Sequence, residues 1–309
     1  MEKVEFTRCA VAFLDVLGFK TFIEAAERDD SPEGLQFAAL QNVITRQLDF
    51  VQTDGGGGAA FGLDRFPKDI DLRILHVSDS FVLSAPISSE RHPAYSGMVA
   101  VAIKSIQLAH QLLKMGFLIR GGLAVGNVHR TESNIFGTGY QVAYATEKCA
   151  GTPRVLFHQS AVEYFDTACH LGLPLSSMAI FAREGNETML DTLVAHWCYV
   201  GEDLGADVAE VFRFHKATIE RRLSELPSGS ARDKWEWMAK YFNAKQRNEI
   251  DLRAVGAVNI DKYSIIRFGP LVNHSATTFE ETFGPFAASP AADASTGVEG
   301  LGSVTDGGE

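Results

Sequence analysis

An apolar run from Cys9 to Leu14 ends on a carboxylate, Asp15, and a glycine, Gly18, follows shortly after it. A run of this length predicts a buried strand, and Gly18 lets the chain turn tightly before a helix-like stretch that opens at Phe19. A second carboxylate, Asp79, stands between two strand-like runs, Ile70 to Val77 and Phe81 to Ala85, separated only by Ser78, Asp79 and Ser80. That spacing predicts a hairpin with Asp79 at its tip. Two carboxylates at the ends of apolar strands suit Mg²⁺ or Mn²⁺, hard cations whose remaining ligands come from substrate phosphates. Taken singly, each aspartate has a plainer reading as a helix cap or a turn residue.

The order of elements adds weight to the pair. A helical stretch, Tyr95 to Met115, precedes a third strand-like segment, Arg120 to Gly126, and Gly137-Thr138-Gly139 then opens another helix. In this arrangement the chain resembles the class III nucleotidyl cyclase catalytic domain over roughly residues 8 to 160. Phe13 to Phe19 match the family's first metal segment, Ser78-Asp79 its second, and Arg120, Gly122 and Gly126 its arginine-glycine strand. The resemblance implies an α+β, ferredoxin-like fold with a mostly antiparallel sheet and flanking helices, followed by a helical C-terminal extension. It implies that Asp15 and Asp79, with the Val16 carbonyl, hold two divalent ions, Mn²⁺ or Mg²⁺, and that Arg120 meets substrate phosphate. The amides of Leu17, Gly18 and Phe19 would cradle the phosphate tail, with Lys20 as a secondary cation.

Where purine-specific cyclases carry a base-reading lysine or glutamate this chain has Leu75, and their second base-reading position is Thr138. Gln141 falls where the family has a ribose-orienting asparagine, and Ala145 where it has a transition-state arginine. With these changes the chain looks like the bacterial pyrimidine cyclases of antiphage signalling, the Pycsar cyclases. It resembles them further in Ser78-Asp79-Ser80, in Ile119 to Gly122, in the Tyr144 to Glu147 turn and in the helical segment Arg232 to Trp237 that ends near Asn243. That resemblance implies conversion of UTP to 3′,5′-cyclic UMP and pyrophosphate, a second messenger read by a cyclic-nucleotide-binding effector. It also implies a two-fold homodimer whose metal and base half-sites face one another across the subunits. Cyclic CMP is the alternative product, because the sequence does not separate uracil from cytosine. A catalytically degenerate nucleotide-binding sensor stays open on the strength of Ala145. A diguanylate-type enzyme is disfavoured, since no G-G-D-E-F hairpin stands at residues 78 to 82.

Charge and hydropathy bound the partners. With 28 Lys and Arg against 39 Asp and Glu the net charge is −11, which disfavours broad nucleic-acid binding. No apolar stretch approaches the roughly 18 residues that span a bilayer, and the acidic start Met1 to Glu5 lacks the form of a signal peptide. A cytoplasmic enzyme without membrane insertion is expected. Cys9, Cys149, Cys169 and Cys198 show no C-x-x-C spacing and read as plain thiols.

The expected organisation is a catalytic domain over 1–200, a helical extension and closing strand over 201–284, and a disordered tail over 285–309. Gly34 to Phe50, Ala206 to Leu226 and Ala231 to Gln246 are expected helices. The aromatics of the last, Trp235, Trp237, Tyr241 and Phe242, suit a core or a dimer face better than a base-stacking platform. Gly55 to Gly58 lacks the G-K-[ST] ending of a phosphate loop and carries no chemistry. His76 suits a core histidine, while His129 and Arg130 are expected in a solvated loop after Gly126. Lys148 and Arg154 are further cations, the latter placed to enter a neighbouring subunit's site or to stay on the surface.

Overall fold

The computed structural model describes residues 4–28, 32–52, 71–88, 97–170, 180–195, 207–260 and 266–269. Strand β1 (Thr7–Leu17) is its organising element, and the period-2 alternation of a strand sorts its side chains onto two apolar faces. Ala10, Ala12, Leu14 and Val16 enter one buried cluster with helix α3 (Gly97–Lys114), while Cys9, Val11 and Phe13 enter another beneath helix α4 (Thr138–Cys149). After β1, Gly18 takes a left-handed φ of 81°, and α1 (Phe19–Ala26) and α2 (Pro32–Gln52) follow. The hairpin of β2 (Arg73–Val77) and β3 (Ser80–Pro86) comes next, and β3 pairs antiparallel with β1.

On its other side β1 pairs antiparallel with β4 (Leu118–Arg130), so antiparallel ladders flank it on both sides and Cys9 to Leu14 are buried. The chain continues through β5 (Ile135–Phe136), α4, β6 (Val155–Phe157), α5 (Gln159–His170), β7 (Phe181–Glu184) and β8 (Glu187–Leu190). It closes with α6 (Val208–Glu225), α7 (Ser230–Asn248), a short 3₁₀ turn and β9 (Ile266–Gly269). Strand order is β2-β3-β1-β4-β6-β8-β7-β9, with β5 on β4. Among the described strands only β4 and β6 run parallel, so the protein is α+β with a mostly antiparallel mixed sheet flanked by helices. Among the described residues no helix is long and apolar enough to cross a membrane.

The loop expected at His129 and Arg130 is instead the end of β4. Pairing continues past Gly126 because Arg8 and Thr7 face Asn127 and Val128, and β5 then picks up His129 and Arg130. The Arg130 side chain is only 7 % exposed there, with Nη2 2.8 Å from Asp71 and Nη1 donating to the Ser84 carbonyl at 3.0 Å. Trp235, Trp237, Met238, Tyr241 and Phe242 are all buried in a cluster with α6 and residues of β8, which settles them as core. Gly55 to Gly58, Cys198 and the 285–309 tail lie outside the described residues.

Helix α6 is joined to α3 through two buried histidines, with His110 Nδ1 2.8 Å from His215 Nε2 and His110 Nε2 3.2 Å from the Val194 carbonyl. A carbonyl only accepts, so His110 carries its proton on Nε2 and takes a hydrogen bond from His215 Nε2–H at its bare Nδ1. His215 Nδ1 is then a bare nitrogen, and it has no hydrogen-bond partner among the described residues. Burial first, and the nearby His110 and Lys114 charges after it, push His215 well below the ordinary histidine range. A folded-state value below the unfolded one means stability is complete above about pH 6.5 and falls as the pH drops beneath it. Denaturant melts are expected to lose about 1.4 kcal/mol per pH unit on that limb, and His215→Phe to flatten the slope. Identical slopes in the two proteins would show that the pair does not set it.

Candidate functional site

Register places the two sequence-predicted carboxylates together. Asp15 sits between Ser80 on β3 and Arg120 on β4, and the row extends through Ser80 to Val77 on β2. Asp79 occupies the turn beside this row, where the Val16 amide donates to the Asp79 carbonyl at 2.8 Å. That bond pins the hairpin tip against the segment that follows Asp15. The turn between Val77 and Ser80 has only two residues, and Ser78 takes a φ of 57°. A left-handed conformation in a residue other than glycine stores strain, a feature that concentrates at functional sites.

Asp15 is 20 % exposed, and Arg120 Nη2 lies 3.2 Å from its Oδ2. Burial is the main force raising the Asp15 carboxyl above its ordinary range, and the Glu147 carboxylate adds to it. Arg120 pulls the other way, and the charge of Asp79 raises it further, which registers the closeness of the two aspartates. Arg120 also engages Glu147 of α4, a residue the sequence reading did not select as a site residue: Nε donates to Oε1 at 2.6 Å. Lys148 Nζ stands 3.4 Å from Glu147 Oε2 and 4.8 Å from the centroid of the Tyr144 ring.

Glycines explain how α4 comes so close. A Cβ at Gly122 would stand 2.3 Å from the Ala143 carbonyl oxygen and 2.6 Å from the Glu147 amide, and one at Gly126 would stand 2.6 Å from Gly139 Cα. The stripe Gly139, Ala143 and Glu147, spaced four apart on one face of α4, is the buried side of that contact. Before α1 the chain offers Val16 and Phe19 to the core and leaves Gly18 exposed, with Leu17 between these extremes. Gly18 supplies no side-chain cap, so the first amides of α1 are open to an anion beside Asp15. Lys20 points away on the helix surface, 88 % exposed and 3.8 Å from Glu24.

The base- and ribose-reading positions on α4 are not gathered at the carboxylates. Thr138, Gln141 and Ala145 form one exposed face of α4, and Thr138 lies near Gly126. Gly126 faces Cys9, which is about 20 Å along β1 from Asp15. Leu75 lies two rows below Asp15, in the line Leu75, Val82, Phe13 and Gly122, and therefore on the same face of the sheet. His76 points to the opposite face, half-buried against Phe81 with ring centroids 4.7 Å apart. Arg154 is turned inward, 2.6 Å from Glu187 and 3.2 Å from Glu184. Among the described residues no group of three or more His, Cys, Asp or Glu side chains is placed to hold a metal. Asp15 and Asp79 fit a site of the type in which one or two carboxylates bind and substrate phosphates complete the shell. No protein-family model matches the chain, and no curated protein matches it.

Proposed function

We propose that this protein is a pyrimidine nucleotide cyclase that converts UTP to 3′,5′-cyclic UMP and pyrophosphate. The observation that carries the reading is the convergence of Asp15 and Asp79, locked by the 2.8 Å bond from Val16 to the hairpin tip, beside Arg120 and the uncapped start of α1. The order β2-β3-β1-β4, with helices between β1 and β2 and between β3 and β4, supports the ferredoxin-like cyclase fold. In this reading Asp15, Asp79 and the Val16 carbonyl hold two divalent ions, Mn²⁺ or Mg²⁺. When bound, these ions supply Lewis acidity for in-line attack of the ribose 3′-hydroxyl on the α-phosphate. Arg120 balances charge on the phosphates, and the amides from Leu17 to Phe19 orient the tail.

Thr138 and Gln141 face outward on α4, away from their own Asp15, and this supports a site completed between two copies. Leu75 and Thr138 offer no charged contact to a purine, which favours uracil and, after it, cytosine. The cyclic product acts in antiphage defence through a separate cyclic-nucleotide-binding effector. With UTP, CTP, ATP and GTP at equal concentration and Mn²⁺ present, the expected product is mainly cyclic UMP, separated by chromatography. Predominant cyclic AMP would remove the pyrimidine reading. Ala145, exposed and without a guanidinium, favours a second reading as a nucleotide-binding sensor; that reading predicts UTP binding and no cyclic product at all.

A further inference from the structure

Resting on the cyclase reading, we propose that Glu147 is a positioning residue, whose buried carboxylate fixes the Arg120 guanidinium so that it meets the triphosphate beside Asp15. The Glu147 side chain is 0 % exposed although it stands in the polar stretch Ala145-Thr146-Glu147-Lys148. Burying a carboxylate is costly unless a cation compensates it. Glu147 meets that cost almost wholly through one partner: Oε1 accepts Arg120 Nε at 2.6 Å and lies 2.5 Å from Nη2. Oε2 accepts no hydrogen bond among the described residues and has only the Lys148 ammonium at 3.4 Å.

Nε and Nη2 held by one oxygen fix the orientation of the guanidinium edge, and Nη2, which carries two hydrogens, also donates to Asp15 Oδ2 at 3.2 Å. Gly122, two residues beyond Arg120 on the same face of β4, admits α4 closely enough for Glu147 to make this contact. Without Glu147, Asp15 is the one carboxylate partner left to Arg120 among the described residues. Arg120 would then collapse onto Asp15 and neutralise a metal ligand instead of presenting charge to phosphate. The carboxylate on α4 thus divides the arginine between two acids and keeps it available to an anion.

The test uses the full chain, Mn²⁺ and α,β-methylene-UTP, a probe that binds without being cyclised. Glu147→Gln keeps shape and one acceptor but removes the charge, and it is expected to weaken probe affinity in calorimetry by about tenfold. Combining it with Arg120→Ala should cost no more than Arg120→Ala alone, the mark of two residues acting as one unit. With UTP as substrate, Glu147→Gln should raise KM, and Glu147→Asp should recover part of the loss. A folded Glu147→Gln protein with wild-type affinity, or losses that add in the double variant, would overturn the proposal and leave Glu147 a packing residue. Failure of the cyclase reading is a separate result, because it appears in the wild-type protein as no probe binding and no cyclic product, and the proposal falls with it.

Discussion

Asp15→Ala and Asp79→Ala are each expected to reduce the proposed cyclic-nucleotide formation by at least about a thousandfold while the protein stays folded. Metal-borne charge stabilisation is worth several kcal/mol at the transition state, and each 1.4 kcal/mol is a factor of ten. Stability should move in the opposite direction for Asp15→Asn. Burial and Glu147 hold the Asp15 carboxyl above its ordinary range, so its ionised form works against the fold. A folded-state value above the unfolded one gives stability that is complete at low pH and is lost as the pH rises through the folded value. At neutral pH the neutral amide removes that cost, and Arg120 keeps Glu147 as partner, so a gain of order 1 kcal/mol in denaturant melts is expected. Lost turnover with gained stability is the signature of a carboxylate kept for function. A verified folded Asp15→Ala, Asp79→Ala double variant that still cyclises at the wild-type rate would remove the two-carboxylate assignment.

The parts of this arrangement that were legible in the sequence are those carried by local pattern. The apolar run into Asp15, the hairpin with Asp79 at its tip and the helix opened after Gly137 appear where period and turn chemistry put them, although Ser80 already belongs to β3 and shortens the tip to two residues. Gly122 and Gly126 were visible as motif residues, but their physical role is the close approach of α4, which depends on a partner element that local pattern does not specify. Glu147 was visible only as the end of the Tyr144 to Glu147 turn, and its contact with Arg120 was hidden for the same reason. A glutamate followed by a lysine on a helix is ordinarily solvated, and only the spacing Gly139, Ala143, Glu147 set against Gly122 signals that this one faces the sheet. The end of β4 was missed because Gly126 and Asn127 interrupt its apolar alternation, while the pairing that sustains it comes from Thr7, Arg8 and β5. Long-range pairing overrode a local breaker.

The same dependence on distant partners makes Lys245 the most vulnerable cation in the C-terminal helices. Its Nζ lies 2.5 Å from Asp191 Oδ2, contacts Glu249, and sits 5.0 Å from the centroid of the Phe268 ring. Burial works against its charge, yet Asp191 and Glu249 outweigh burial and hold Lys245 above the ordinary lysine value. Asp191 follows β8, is itself fully buried, and also takes the Tyr241 hydroxyl at 2.5 Å and the Leu193 amide at 3.1 Å. Lys245→Met fills a similar volume but leaves a buried carboxylate with neutral donors alone, a change that costs about 3–5 kcal/mol. Asp191→Asn added to Lys245→Met removes the stranded charge while keeping the Tyr241 bond, so most of the loss should return. Urea denaturation of the two variants separates the contributions: a loss below about 1 kcal/mol in the single variant, or no recovery in the double, would show that the pair is not what ties α7 to the sheet. Asp191 and Lys245 lie on either side of residue 200, so this ion pair ties α7 to the segment that follows β8, a strand of the same sheet that carries the candidate site.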